Sequence, residues 1–186
     1  MEAEAAYYRG QLDGRSTWYY EHGKKRMEID YVSGKKHGTM TRFFRNGKVE
    51  TQQNFNNDTL EGTTREYSNN GVLIGEITYK KGQKDGIYRQ YYPDGTLSVE
   101  GSFAKDMNEG VWKSYDADGF LLSEAYFSVG NGTVNLFDAD GILRKKTPFI
   151  NNVKDGKEEH YDRNGNIEKT MLYKEDRLIE VTKYYH

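Results

Sequence analysis

The sequence predicts an all-β protein, an elongated antiparallel β-meander of tandem 24-residue β-hairpin repeats, and three observations predict it. Glycines recur at Gly14, Gly38, Gly62, Gly86 and Gly110, each 24 residues after the last, and continue at Gly132 and Gly156 after one unit shortened to 22. Five residues after each glycine sits an aromatic: Tyr19, Phe43, Tyr67, Tyr91, Tyr115, Phe137 and Tyr161. Seventeen after each sits another: Tyr31, Phe55, Tyr79, Phe103, Phe127, Phe149 and Tyr173. A period of this length marks a repeat architecture whose units contact mainly their neighbours. Residues 1–186 therefore read as one array, with partial units at both ends. Positions are numbered below from the leading glycine of each unit, so that Tyr91 is at +5 and Phe103 at +17.

Each element follows in order. The residues leading to +5 form a first strand. A second glycine at +9 (Gly23, Gly47, Gly71, Gly95, Gly119, Gly141, Gly165) usually follows Asp or Asn. Such dipeptides supply the positive-φ positions of a tight hairpin, here a three-residue loop ending in a G1 bulge. This loop sets +5 opposite +11, giving Tyr67/Leu73, Tyr91/Leu97, Tyr115/Leu121, Phe137/Leu143 and Tyr161/Ile167. Each such cross-strand pair is worth roughly 0.2–1 kcal/mol. The second strand runs from +11 to +17, and a second turn, read over residues 82–86 in one unit, leads onward. Helix is excluded because the glycines and turns would interrupt it and no 3.6-residue period appears. Pro93 falls in a turn, and Pro148 within a strand marks a local irregularity.

Simple alternation places +5, +11 and +17 on one face as an aromatic ladder, with Tyr91, Phe103, Tyr115 and Phe127 as its most buried members. Position +14 (Glu28, Gln52, Glu76, Glu100, Glu124, Lys146, Thr170) then points the other way. With some 15 strands at ~4.8 Å spacing the sheet would extend roughly 70 Å and twist right-handedly. Residues 7–9 and 181–185 are expected to be edge strands open to strand addition. The expected state is a monomer with end-to-end edge contacts.

Composition narrows the function. Hydrophobic content is 35% and charged content 30%, so the 16 tyrosines must supply much of the buried surface. A net charge of −2 weighs against a nucleic-acid or anionic-membrane binder. No apolar run approaches the roughly 18 residues of a membrane helix, and the absence of cysteine removes disulfide and thiol chemistry. The start, MEAEAAYYRG, has no apolar signal core, and the chain begins and ends mid-repeat. Both a cytoplasmic and an exported location, the latter through a signal peptide removed earlier, stay open.

The histidines His22, His37, His160 and His186 have no zinc-ligand spacing. Carboxylates repeated at +14 of successive units are structural before they are acid–base pairs. Asp58, Asp85, Asp94, Asp118 and Asp140 belong to turns and lack the dense spacing of a calcium loop. No catalytic residue, metal or cofactor is assigned, and the chain does not read as an enzyme. The binding candidates are aromatics at even positions, expected to face away from the ladder: Trp18, Tyr20, Phe44, Tyr88, Tyr92, Trp112 and Tyr126. Exposed aromatic clusters mark interaction sites, and the alternative is that they cover the second face of the sheet. The central units carry Tyr88, Tyr92, Trp112 and Tyr126, with Tyr88 expected opposite Glu100 and Trp112 opposite Glu124.

The segment from Gly110 through Val111, Trp112, Tyr115, Asp118, Gly119, Leu121, Glu124 and Phe127 resembles the MORN-repeat variant of many bacterial proteins, as does Gly86 to Phe103. The resemblance covers nearly the whole chain. The last two units depart from it, with Lys146 and Thr170 in place of Glu and Glu180 where the next Gly is due. The resemblance implies a protein–protein interaction or scaffold module, with antitoxin or immunity proteins as one labelled case, and transfers no catalytic residue. The alternative is a cell-envelope or carbohydrate-binding repeat protein, through aromatic segments such as Ser16-Thr17-Trp18-Tyr19-Tyr20. The partner is expected to be a protein, with no nucleic acid and no integral membrane segment.

Overall fold

The computed structural model describes residues 2–184, and every regular element among them is a β-strand. The chain divides into two compact units, Met1–Gly95 and Thr96–His186. In the first, β1 (Ala3–Tyr8), β2 (Gln11–Tyr19), β3 (Lys25–Val32), β4 (Lys35–Phe43), β5 (Val49–Asn56), β6 (Thr59–Leu60), β7 (Gly62–Tyr67), β8 (Leu73–Lys80) and β9 (Gln83–Tyr91) form an antiparallel meander. The short β6 and β7 are one strand interrupted at Glu61, and both pair with β5. The second unit repeats the plan with β10 (Leu97–Ala104), β11 (Met107–Tyr115), β12 (Leu121–Ser128), β13 (Asn131–Phe137), β14 (Leu143–Ile150), β15 (Val153–Lys154), β16 (Gly156–Tyr161), β17 (Ile167–Lys174) and β18 (Arg177–Lys183). The tandem-hairpin, all-antiparallel reading holds in each unit.

The glycine turn has the expected form. The Gly119 amide donates to the Asp116 carbonyl at 3.1 Å, and Gly119 sits at φ 86°. The Asp116 carboxylate accepts the amides of Asp118 and Phe120 at 3.0 and 2.9 Å, so the acceptor is Asp116, while Asp118 beside the glycine is a donor and does not take the positive φ expected of it. The register follows: Tyr67 pairs with Leu73, Tyr115 with Leu121, Phe137 with Leu143 and Tyr161 with Ile167.

The second turn is tighter than expected. It is the two-residue loop Lys81-Gly82, with φ of 51° and 80°, and not residues 82–86; Lys80 pairs with Gln83, which already belongs to β9. Two consecutive left-handed residues make a type I′ turn, whose twist matches that of the flanking strands.

The expected faces need correcting, and the cause is the bulge that follows the glycine turn. In the β11–β12 hairpin Ser114 pairs with Ser123 but Tyr115 with Leu121, so Leu122 is an extra residue. One extra residue inverts every later side chain of the strand. Position +14 therefore shares the face of +5, and +17 lies on the opposite face with +15 and +2. For the same reason Trp112 stands opposite Ala125, while Lys113 takes Glu124.

The core is accordingly not the +5 ladder. The most buried side chains sit mainly at +2, +15 and +17: Ser16, Ile29, Met40 and Thr64 in the first unit, Ala125, Phe127, Thr147 and Glu158 in the second. Tyr91, Phe103 and Tyr115 are only half-buried. Phe127 is 3% exposed because it lies between two glycines, Gly110 and Gly132, on the adjacent strands. A Cβ on Gly132 would approach its ring to 2.8 Å. The same pairing of leading glycine with +17 aromatic recurs as Gly14/Tyr31, Gly38/Phe55, Gly62/Tyr79, Gly132/Phe149 and Gly156/Tyr173. At Gly132 it is the ring that requires glycine; at Gly14, Gly38, Gly62 and Gly156 it is the backbone, held at φ between 82° and 112°.

The shortened unit has the same logic. Most strands that enter a new unit shift register near the leading glycine, as at Ile29/Tyr31, Ile77/Tyr79 and Glu100/Ser102. Between β12 and β13 the register runs unbroken, so the two missing residues are those of that bulge. Pro148 meets the Gly156 bulge, with a Cβ there 3.1 Å from its ring. At the ends, β1 pairs with β2 and β18 with β17; of the expected edge segments, Arg9 belongs to the first turn and Tyr185 lies outside the described residues.

Candidate functional site

Like +2, position +4 carries a different residue in every unit: Trp18, Arg42, Glu66, Gln90, Ser114, Leu136 and His160. In the first unit the ladder brings two of these together. Trp18 on β2 pairs with Met27 on β3, which pairs with Arg42 on β4. The glycine turns after β2 and β4 close one end. The Tyr20 hydroxyl donates to the Phe43 carbonyl at 2.7 Å, pinning its ring against the next hairpin. The Arg45 guanidinium lies 5.8 Å from the centre of that ring, a cation–π contact.

The result is a groove of about 700 Å³. Trp18, Tyr19, Tyr20 and Met27 supply its apolar surface, and Lys24, Arg26, Arg42 and Arg45 its positive charge, against Glu21 and Glu50. Among the described residues Arg42 and Arg45 form no ion pair with a carboxylate. Two amides of the turn beside the groove close it: Tyr20 donates to the Lys24 carbonyl and Gly23 to that of Tyr20, at 2.8 and 2.9 Å.

The second unit offers a flat patch. Tyr126 is 67% exposed and its cross-strand partner Val111 50%, although both lie in regular strands. The row continues through Thr133 to Pro148, with the Lys113–Glu124 ion pair at 3.5 Å beside it.

The aromatics singled out by sequence are thus distributed. Trp18 and Tyr20 share the groove. Trp112 and Tyr126 lie on opposite faces, since their partners Ala125 and Val111 do. The Trp112 ring covers Gly101, meets Phe103 edge-on at 5.0 Å, and donates its Nε1–H to the Ser102 carbonyl at 3.1 Å. Tyr88 pairs with Ile77 and is half-buried; burial, and then Glu66, push its phenol up. Phe44 and Tyr92 are half-buried and open glycine turns, their carbonyls accepting from Gly47 and Gly95 at 2.9 Å. Sequence reasoning missed Arg42 and Arg45; the irregularity of +4 is a signal for Arg42, and nothing in the repeat marks Arg45 at +7.

The +14 carboxylates serve the fold. Tyr115 donates its hydroxyl to Glu100 at 2.9 Å and Tyr91 to Glu76 at 3.4 Å, each reaching back one unit. Glu76 also meets Arg89 at 3.1 Å. Burial and these carboxylates raise both phenols.

Hairpin repeats that expose different side chains at equivalent positions define a repeat-type binding fold. Six stretches match the family described as MORN repeat variant: residues 12–33, 36–57, 60–81, 84–105, 108–128 and 154–175, together more than two thirds of the chain. The chain belongs to that family. None of the six covers residues 129–153, the unit carrying Lys146 and Pro148. No curated protein matches the chain. MORN repeats are in general modules that bind proteins or membranes. Among the described residues no helix is long and apolar enough to cross a membrane, which leaves β-barrels unaddressed.

Proposed function

We propose that this chain is a non-enzymatic protein-binding module that neutralises or holds a partner protein, in the manner of an antitoxin or immunity protein. The observation that carries the reading is the Tyr126–Val111 pair, large side chains held in solvent at the middle of rigid strands. Exposed apolar pairs on regular structure are costly for solubility and suit an interface core, and Tyr is a common hot-spot residue. Of the aromatics proposed as contacts, Tyr126 is the exposed anchor and the half-buried Trp18 and Tyr20 line the groove, with Trp112 bracing the face opposite Tyr126.

The test is co-expression with the products of neighbouring reading frames, followed by co-purification and a growth assay. The expected outcome is a stoichiometric complex that relieves toxicity and is weakened by Tyr126→Ala. Retention on purified cell wall or a glycan array, with no protein partner, would favour a carbohydrate-binding role instead. Against that reading stands the basic rim around Trp18 and Tyr20, which a neutral sugar does not use.

A further inference from the structure

We infer that the groove of the first unit binds an acidic, extended peptide segment of a partner protein, an inference that rests on the protein-binding reading above. Three features converge on that ligand. The first is charge: four cationic side chains face two carboxylates, in a chain whose net charge is −2. A local excess of positive charge on a slightly acidic protein is a site-level feature, and complementary charge selects and steers partners. Among the described residues Arg42 and Arg45 form no ion pair, and a guanidinium matches a carboxylate through two parallel hydrogen bonds.

The second feature is spacing. Trp18, Met27 and Arg42 stand on three successive strands, so the row spans roughly 10 Å at ~4.8 Å per strand. Arg45 lies three residues beyond Arg42, at the turn. Side chains of an extended peptide recur on one face about every 7 Å. Such a segment sets an apolar residue on Trp18 and Met27 and a carboxylate on each arginine. The third is the placing of the guanidinium groups, Arg42 within β4 and Arg45 in the turn that follows it. Phosphate sites are commonly built from free amides converging on one point; this groove offers separated guanidinium groups, the geometry of carboxylates strung along a chain.

The experiment measures anisotropy of a labelled, capped peptide alternating Glu and Leu against the full chain. A matched Gln/Leu peptide, ATP and phosphatidylserine vesicles are the competitors. The expected result is binding that weakens with salt and falls at least about tenfold on Glu-to-Gln exchange in the peptide or with Arg42→Glu/Arg45→Glu. Both arginines are exposed, and circular dichroism verifies that the double variant folds. Trp18→Ala should weaken the acidic and the Gln/Leu peptides alike. Equal binding of the two peptides, an unaffected charge-reversal variant, or binding of ATP or vesicles in place of the peptide overturns the inference. A true protein partner that binds the charge-reversal variant unchanged also overturns it, yet leaves the protein-binding reading standing. Peptide binding without any protein partner does the reverse.

Discussion

Tyr91, Tyr115 and Tyr161 occupy the same position of three units, yet Tyr161 finds Lys146 behind it where the others find a glutamate. Its answer is local: the Lys146 ammonium sits 5.7 Å from the ring centre, and the hydroxyl donates to Glu159 at 2.5 Å. Burial first, and then Glu159, push its phenol up to about 12 from the ordinary 10. A raised folded-state value means that the neutral phenol stabilises the fold. That contribution is complete below pH 10 and is lost as pH rises through about 12. A phenolate absorbance titration should therefore lose its latest step in Tyr161→Phe; loss of a step at the ordinary tyrosine value would contradict the assignment. Glu158 shows the opposite sign. It is 2% exposed, and burial opposes its charge. The Thr147 and His160 hydrogen bonds, each 2.8 Å, with Lys145 and Lys154, outweigh burial and hold the carboxyl below its usual range. Its contribution is present above the unfolded value and fades as pH falls through the depressed folded one. Urea midpoints followed downward in pH should fall more steeply for the native chain than for Glu158→Gln; parallel slopes would contradict this.

At the level of the element, the glycine turn could be read in the sequence because its chemistry is local, a glycine in the left-handed region as at Gly119; the Asp–Gly dipeptide does not advertise the acceptor, which is Asp116, three residues before the glycine. That reading carried the register of Tyr115 with Leu121. The faces could not be read, because one bulge residue, Leu122, has no residue type that marks it and its insertion inverts +14 and +17 together. The second turn was legible only in outline, since Lys81, Lys105 and Glu175 occupy left-handed positions that their residue types do not advertise. Val129 is the extreme case, a β-branched residue at φ 49° and 60% exposed. Its side chain gains little from burial there, and its left-handed backbone costs about 1–2 kcal/mol. Val129→Gly should raise the urea midpoint, by about 1 kcal/mol in stability after the entropy cost of glycine. A lowered midpoint would mean that Val129 makes contacts the turn depends on. The groove was illegible for another reason: Trp18, Met27 and Arg42 become neighbours only through pairing across three strands.

For the molecule as a whole, the repeat assigns different work to the two faces of each sheet. Positions +2, +15 and +17 supply most of the buried column; an aromatic recurs at +17 in every unit, while +2 runs from Ser16 to Trp112 and +15 from Gly101 to Ile29. Tyr126 and Val111 add little burial to that column, at 67% and 50% exposed. Tyr126 and Phe127 are consecutive residues of β12, 67% and 3% exposed. The central claim is that one is held out for a partner and the other holds the sheet. The direct test is to truncate each to alanine and to measure urea stability and partner affinity for both. Phe127→Ala should cost about 3–5 kcal/mol of stability. Tyr126→Ala should leave stability within about 0.5 kcal/mol and weaken the partner complex by about 2 kcal/mol, some thirtyfold. Equal stability losses from the two, or an unchanged complex in a well-folded Tyr126→Ala chain, would contradict that division of labour.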